Sequence, residues 1–83
     1  MRGKKLEDLK LELSQVLEVA KRFGVSHTEV ASENDMGYSH LLYIRKGERL
    51  TVDNERNREV LSGIIKSYKN KLTEKKALLQ QLD

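Results

Sequence analysis

The chain has 83 residues, of which 37% are hydrophobic and 35% charged, with no Cys and no Pro. A chain this short buries only about 60% of its unfolded surface, which predicts a binding surface in place of a deep substrate pocket; the lack of Cys excludes disulfides, zinc-thiolate sites and thiol catalysis. Sixteen Lys and Arg against thirteen Asp and Glu give a net charge of +3, a balance that permits a nucleic-acid partner without requiring one.

The charge is unevenly placed. Residues 1–33 carry six basic and six acidic side chains and residues 34–83 carry ten and seven, so the whole excess lies late in the chain. The longest apolar stretches, such as Leu41-Leu42-Tyr43-Ile44, fall far short of the about 20 residues that a membrane span needs. No signal-peptide pattern is present, and the expectation is a cytoplasmic protein with no membrane partner. Only 5% of residues are aromatic, which predicts an aliphatic core. With no Pro to interrupt helices, the composition predicts a helix-rich, all-α fold class.

In chain order, Leu6, Leu9, Leu13, Val16, Leu17, Ala20 and Phe23 recur at spacings of three and four and predict a first helix over residues 4–23. Gly24 follows the last periodic residue, with Lys21 and Arg22 in the final turn, as at a helix C-terminus. Ser26-His27-Thr28-Glu29 reads as a capping box, flanked by Val25 and Val30 in the staple positions, and opens a short helix through Glu33. Asn34-Asp35-Met36-Gly37 is a turn by composition. A third helix follows, with Leu41, Leu42 and Ile44 on its apolar side and Tyr38, Ser39, His40, Tyr43, Arg45 and Lys46 largely elsewhere, ending at Gly47.

From Asp53 onward the pattern is helical again, either as one helix of about thirty residues or as two broken near residues 70–73. Such a helix is too long to pack entirely on so small a core, so the expected division is a helix-turn-helix domain over residues 1–65 and a C-terminal extension over residues 66–83. Leu61, Ile65 (or Ile64), Tyr68, Leu72, Leu79 and Leu82 approximate a three-four alternation over three heptads, with Lys75 also in the seam. Two readings compete for them: a helix folded back on the bundle, or a dimerisation helix. The second is favoured, because a reader of half-sites needs two copies to meet successive major grooves about 34 Å apart.

Two short helices joined by a turn of four residues, the second polar and basic on one side, describe a helix-turn-helix. Ala31 supplies the small contact residue, Asp35 and Gly37 a permissive turn, and Met36, Leu41 and Ile44 the apolar anchors. An earlier register, with Ala20 as contact and Gly24 as turn, puts Glu33 in the slot that Ile44 fills and leaves Leu41 to Gly47 unexplained. Gly24-Val25-Ser26-His27-Thr28-Glu29-Val30-Ala31, Met36-Gly37, Leu41, Ile44 and Arg45-Lys46-Gly47 together resemble the Cro and lambda-repressor type of helix-turn-helix, the XRE family. The resemblance spans residues 6–65 and implies a small all-α bundle of four to five helices with a helix-turn-helix, here followed by a long C-terminal helix, and operator binding by a homodimer on a palindromic site, in a transcription regulator of the kind found in phages and mobile elements. It implies that Tyr38, Ser39, His40 and Tyr43 face base edges of double-stranded DNA, that His27 and Thr28 meet phosphate, and that Lys46 and Arg49 hold the DNA backbone; Arg45, in the same basic cluster beside that helix, is expected to contact DNA with them.

Two positions depart from the family. Asp35 stands where Gly is common, and the third helix lacks the Gln, Asn and Arg pairs that read adenine and guanine best. These departures, with the modest charge, support an alternative: an adaptor or inhibitor that uses the same fold to grip a protein partner. No ionisable pair stands at catalytic spacing, no nucleophile-elbow or phosphate-loop pattern occurs, and two His alone make no closed metal site. The expectation is a non-enzyme without cofactor or metal.

Overall fold

Gly24 decides where the first helix stops. In the computed structural model, which describes residues 5–81, α1 runs Leu6–Phe23, and Gly24 takes the left-handed conformation at φ 67°. The Val25 amide then donates to the Ala20 carbonyl at 3.1 Å, a Schellman closure that turns the chain at once. α2 (His27–Glu33) begins at Ser26, whose hydroxyl accepts from the Glu29 amide at 3.3 Å. Only this half of the expected capping box forms. The Glu29 carboxylate is drawn to Lys71 Nζ at 2.8 Å, a charged donor that outcompetes a return bond to a neutral amide.

The four turn residues 34–37 lead into α3 (Tyr38–Arg45), and Asp35 holds φ 56°, the left-handed backbone that a residue without Cβ adopts without strain. α4 (Glu55–Gln81) starts where Asn54 Oδ1 accepts from the Asn57 amide at 2.8 Å. It has no break at residues 70–73, so the single-helix reading holds. At 1.5 Å per residue its 27 residues span about 40 Å. The fold of the described residues is therefore all-α, with no strand among them.

α1 lies along α4, and the two start at the same end of the molecule: the Leu6 amide donates to Asp53 Oδ2 at 3.4 Å, and Lys69 reaches Glu12 at 2.6 Å further along. Leu9 and Leu13 of α1, Val30 and Ala31 of α2, Leu41 and Ile44 of α3, and Leu61, Ile64 and Ile65 of α4 close one core. Burial of an aliphatic side chain of this size stabilises by about 1.5–3 kcal/mol. The core is aliphatic with one exception, Tyr68, the largest fully buried side chain.

That exception corrects the expected domain boundary. Residue 65 falls inside an unbroken helix, and Ser67, Tyr68 and Leu72, assigned to the extension, are buried in the bundle. The dimer seam is corrected for the same reason: Leu61, Ile65, Tyr68 and Leu72 are spent inside the protomer, Leu79 is exposed, and Leu82 lies outside the described residues. Heptad-like spacing identifies an apolar stripe, and here the chain itself covers most of it. No helix among the described residues is long and apolar enough to cross a membrane.

Candidate nucleic-acid interface

α3 is held by its inner side alone. Leu41 and Ile44 are 0% and 3% exposed, while Tyr38, Ser39, His40 and Tyr43 are all solvent-exposed on the remaining surface. Ala31, 1% exposed, is the small residue in the α2–α3 angle, and the Met36 amide donates to its carbonyl at 3.0 Å, fixing the turn against α2. The four side chains read from the sequence as base-facing are thus all exposed on α3, spread over the arc that the core leaves open.

Cations gather at the end of that helix. The Arg49 guanidinium lies 5.4 Å and the Lys46 ammonium 6.0 Å from the centre of the Tyr43 ring, so one exposed aromatic holds two positive charges. Glu48 is the acidic residue between them in sequence. Gly47, at φ 81°, and the Glu48 amide, which donates to the Tyr43 carbonyl at 3.0 Å, fold this segment back on α3.

Arg45 differs from its expected place. It is half-buried, its Nε is buried without a hydrogen-bond partner, and its charge acts on His27 and Tyr68. An inward base leaves Arg45 poorly suited to be a free phosphate clamp, unlike Lys46 and Arg49, which are exposed.

His27 is also more than a surface residue. Its Nδ1 lies 2.7 Å from the buried Tyr68 hydroxyl, and the two rings meet edge-on with centroids 5.7 Å apart. Burial, and then the positive charge of Arg45, push the imidazole below its ordinary pKa of 6.5. Burial likewise pushes the Tyr68 phenol up to about 12. Thr28, beside His27, is exposed.

A second set of residues fixes α2 to α4. Asn34 donates from Nδ2 to the Val30 carbonyl at 2.8 Å and to Ser67 Oγ at 3.0 Å, closing the C-terminal end of α2 against α4. Lys71 bridges Glu29 and Glu33 at 2.8 and 2.9 Å; its hydrogen bonds to these two carboxylates raise its pKa, and the same bond lowers that of Glu33. The groove beside the turn is lined by Asp35, His40 and Arg56, and sequence reasoning did not place Arg56 there, because nothing local links it to the turn. The pairing of Tyr68 with His27 was missed similarly, since Tyr68 sits on the periodic stripe like any apolar residue.

The described residues contain no group of three or more His, Cys, Asp or Glu able to hold a metal ion. Fold and surface together define an all-helical domain built round a helix-turn-helix, with a polar and aromatic outer helix face and adjoining cations. No protein-family model matches the chain, and neither the comparison with curated proteins nor that with solved structures finds a match.

Proposed function

We propose that the protein is a sequence-specific DNA-binding transcription regulator of the Cro and lambda-repressor type, acting as a homodimer on a palindromic operator. The observation that carries this reading is α3: its inner side is wholly core, and its outer side offers Tyr38, Ser39, His40 and Tyr43 with Lys46 and Arg49 at the end. Hydroxyls and imidazole can hydrogen-bond to base edges in a major groove, and the flanking cations neutralise phosphates. Affinity then falls with salt by about 0.9 log units per phosphate contact per tenfold change in concentration. A second copy is held through the distal part of α4, where Leu78 and Leu79 are exposed and the helix has left the core.

A gel-shift titration against sheared DNA from the protein's own locus, at two salt concentrations and with unrelated competitor, tests the reading. Retention of one fragment at high salt is expected; equal loss of all fragments overturns it. Truncation after Thr73 tests the dimer, since light scattering should then report a folded monomer, and a dimer that survives places the contact elsewhere.

One observation favours a second reading, a protein-binding adaptor or inhibitor. Tyr38 and Tyr43 are 45% and 40% exposed, with Arg49 over the Tyr43 ring, and exposed Tyr with Arg is the composition of protein-binding hot spots. Failure of the gel shift, with a partner retained by wild-type protein and lost on Tyr38→Ala with Tyr43→Ala, would select it.

A further inference from the structure

The Tyr68 hydroxyl is buried, and a buried O–H is seldom left without an acceptor. The acceptor that the described residues supply is His27 Nδ1, at 2.7 Å. A nitrogen that accepts carries no proton, so the neutral ring bears its hydrogen on Nε2. Nε2 makes no hydrogen bond to any described residue, and His27 is only half-buried. The edge-on packing of the two rings also limits rotation of the imidazole. We infer that Tyr68 is a positioning residue for DNA binding: it fixes His27 as the Nε2–H tautomer and presents that hydrogen as a preset donor to a backbone phosphate.

This inference rests on the DNA reading and deepens it. A phosphate oxygen is an acceptor only, so a ring with its proton on Nδ1 would turn a lone pair toward it and repel it. Burial, and then the positive charge of Arg45 from α3, favour the neutral ring, while Tyr68 from α4 is the group that meets its Nδ1. His27 therefore contributes a hydrogen bond and no counterion release.

The test has two arms on the full chain. Ring-nitrogen NMR of the free protein should show His27 as the Nε2–H tautomer and, in Tyr68→Phe, a mixture of tautomers; an Nδ1–H ring in the wild type, or no change in the variant, overturns the inference. In the second arm, binding to a random-sequence 20-base-pair duplex should weaken about threefold to tenfold in Tyr68→Phe. In a His27→Gln background, where the amide supplies a donor independent of Tyr68, the same change should have little effect. An equal loss in both backgrounds means that Tyr68 acts through the fold alone and sinks the inference. Should Tyr68→Phe not fold, the tautomer of the wild type decides. A correct tautomer in a protein that binds no duplex at any salt removes the DNA reading itself, whereas a wrong tautomer with binding intact removes only the role of Tyr68.

Discussion

The two ends of α4 have similar sequences and opposite fates. Leu61, Ile64, Ile65, Tyr68 and Leu72 recur at helical spacing and are buried, while Leu78 and Leu79 continue the apolar series and stand 59% and 51% exposed. Every residue from 73 to 81 is exposed. The difference lies in what is opposite: α1 and α2 cover α4 as far as Lys71 and Leu72, and among the described residues no other element reaches further. Periodicity thus specifies which face of a helix is apolar and leaves open which body covers it.

The largest test of that contrast replaces one Leu from each end. Leu61→Ala empties a fully buried site and is expected to lower stability by about 2–5 kcal/mol. Leu79→Ala should stay within about 0.5 kcal/mol when a dilute protomer is unfolded in urea. A costly Leu79→Ala at low concentration would mean that the distal end packs on its own chain after all.

A second contrast sets the close approach of α2 to α4 against the open glycines. A Cβ at Gly63 would lie 2.9 Å from Asn34 Oδ1, whereas Cβ atoms at Gly24, Gly37 and Gly47 would meet nothing within 4 Å. Asn34 cannot simply swing away, because its Nδ2 is held by Val30 and Ser67. Gly63→Ala should therefore destabilise by about 1–2 kcal/mol, even after the helix-propensity gain of about 1 kcal/mol. Asn34→Ala combined with Gly63→Ala should cost less than the two changes added, which a double-mutant cycle measures.

Acid sharpens the contrast between the half-buried histidine and the exposed one. His27 is held below its ordinary 6.5 by burial and by Arg45, while His40 is exposed. The unfolded chain then binds more protons at position 27 than the folded one as pH falls through 6.5 toward the folded value. Stability rises with pH across that window, is lost on acidification, and is unaffected by this group above it. The urea midpoint of the wild type should fall between about pH 7.5 and 5.5, and His27→Gln should flatten the curve; an unchanged curve in that variant would place the titrating group elsewhere.

The local devices were legible. Gly24 and Ser26 sit at the predicted boundaries, Ala31, Leu41 and Ile44 occupy the predicted inner positions, and the turn at residues 34–37 falls between helices that match the expected bounds closely. These signals are short-range, since each depends on residues within a few positions of one another. What the sequence did not yield is pairing at a distance. The Glu29 carboxylate leaves its capping role for a Lys 42 positions on, and Tyr68 finds His27 across 41. Arg45 looked like a surface cation because a helical pattern gives the direction of a side chain and not the depth of its neighbours. The seam residues were misplaced for the same reason as the boundary at residue 65.

Asp35 gives the smallest expected effect and separates fold from interface at one atom group. Its φ of 56° is the left-handed backbone in which a Cβ is strained, and its exposed carboxylate stands beside the helix that the DNA reading puts in the groove. Asp is among the residues that tolerate this conformation best, so relief of strain in Asp35→Gly is offset in part by the added freedom of the unfolded glycine. The expected gain is at most about 1 kcal/mol in urea unfolding. Loss of one negative charge near phosphate should at the same time strengthen duplex binding at low salt, with the advantage shrinking as salt rises and the Debye length contracts. Asp35→Asn keeps the shape and removes the charge, so it should reproduce the binding gain without the full stability gain. If both variants leave low-salt affinity unchanged, the face beside the turn is not where the phosphates lie, and the protein-partner reading gains the same surface.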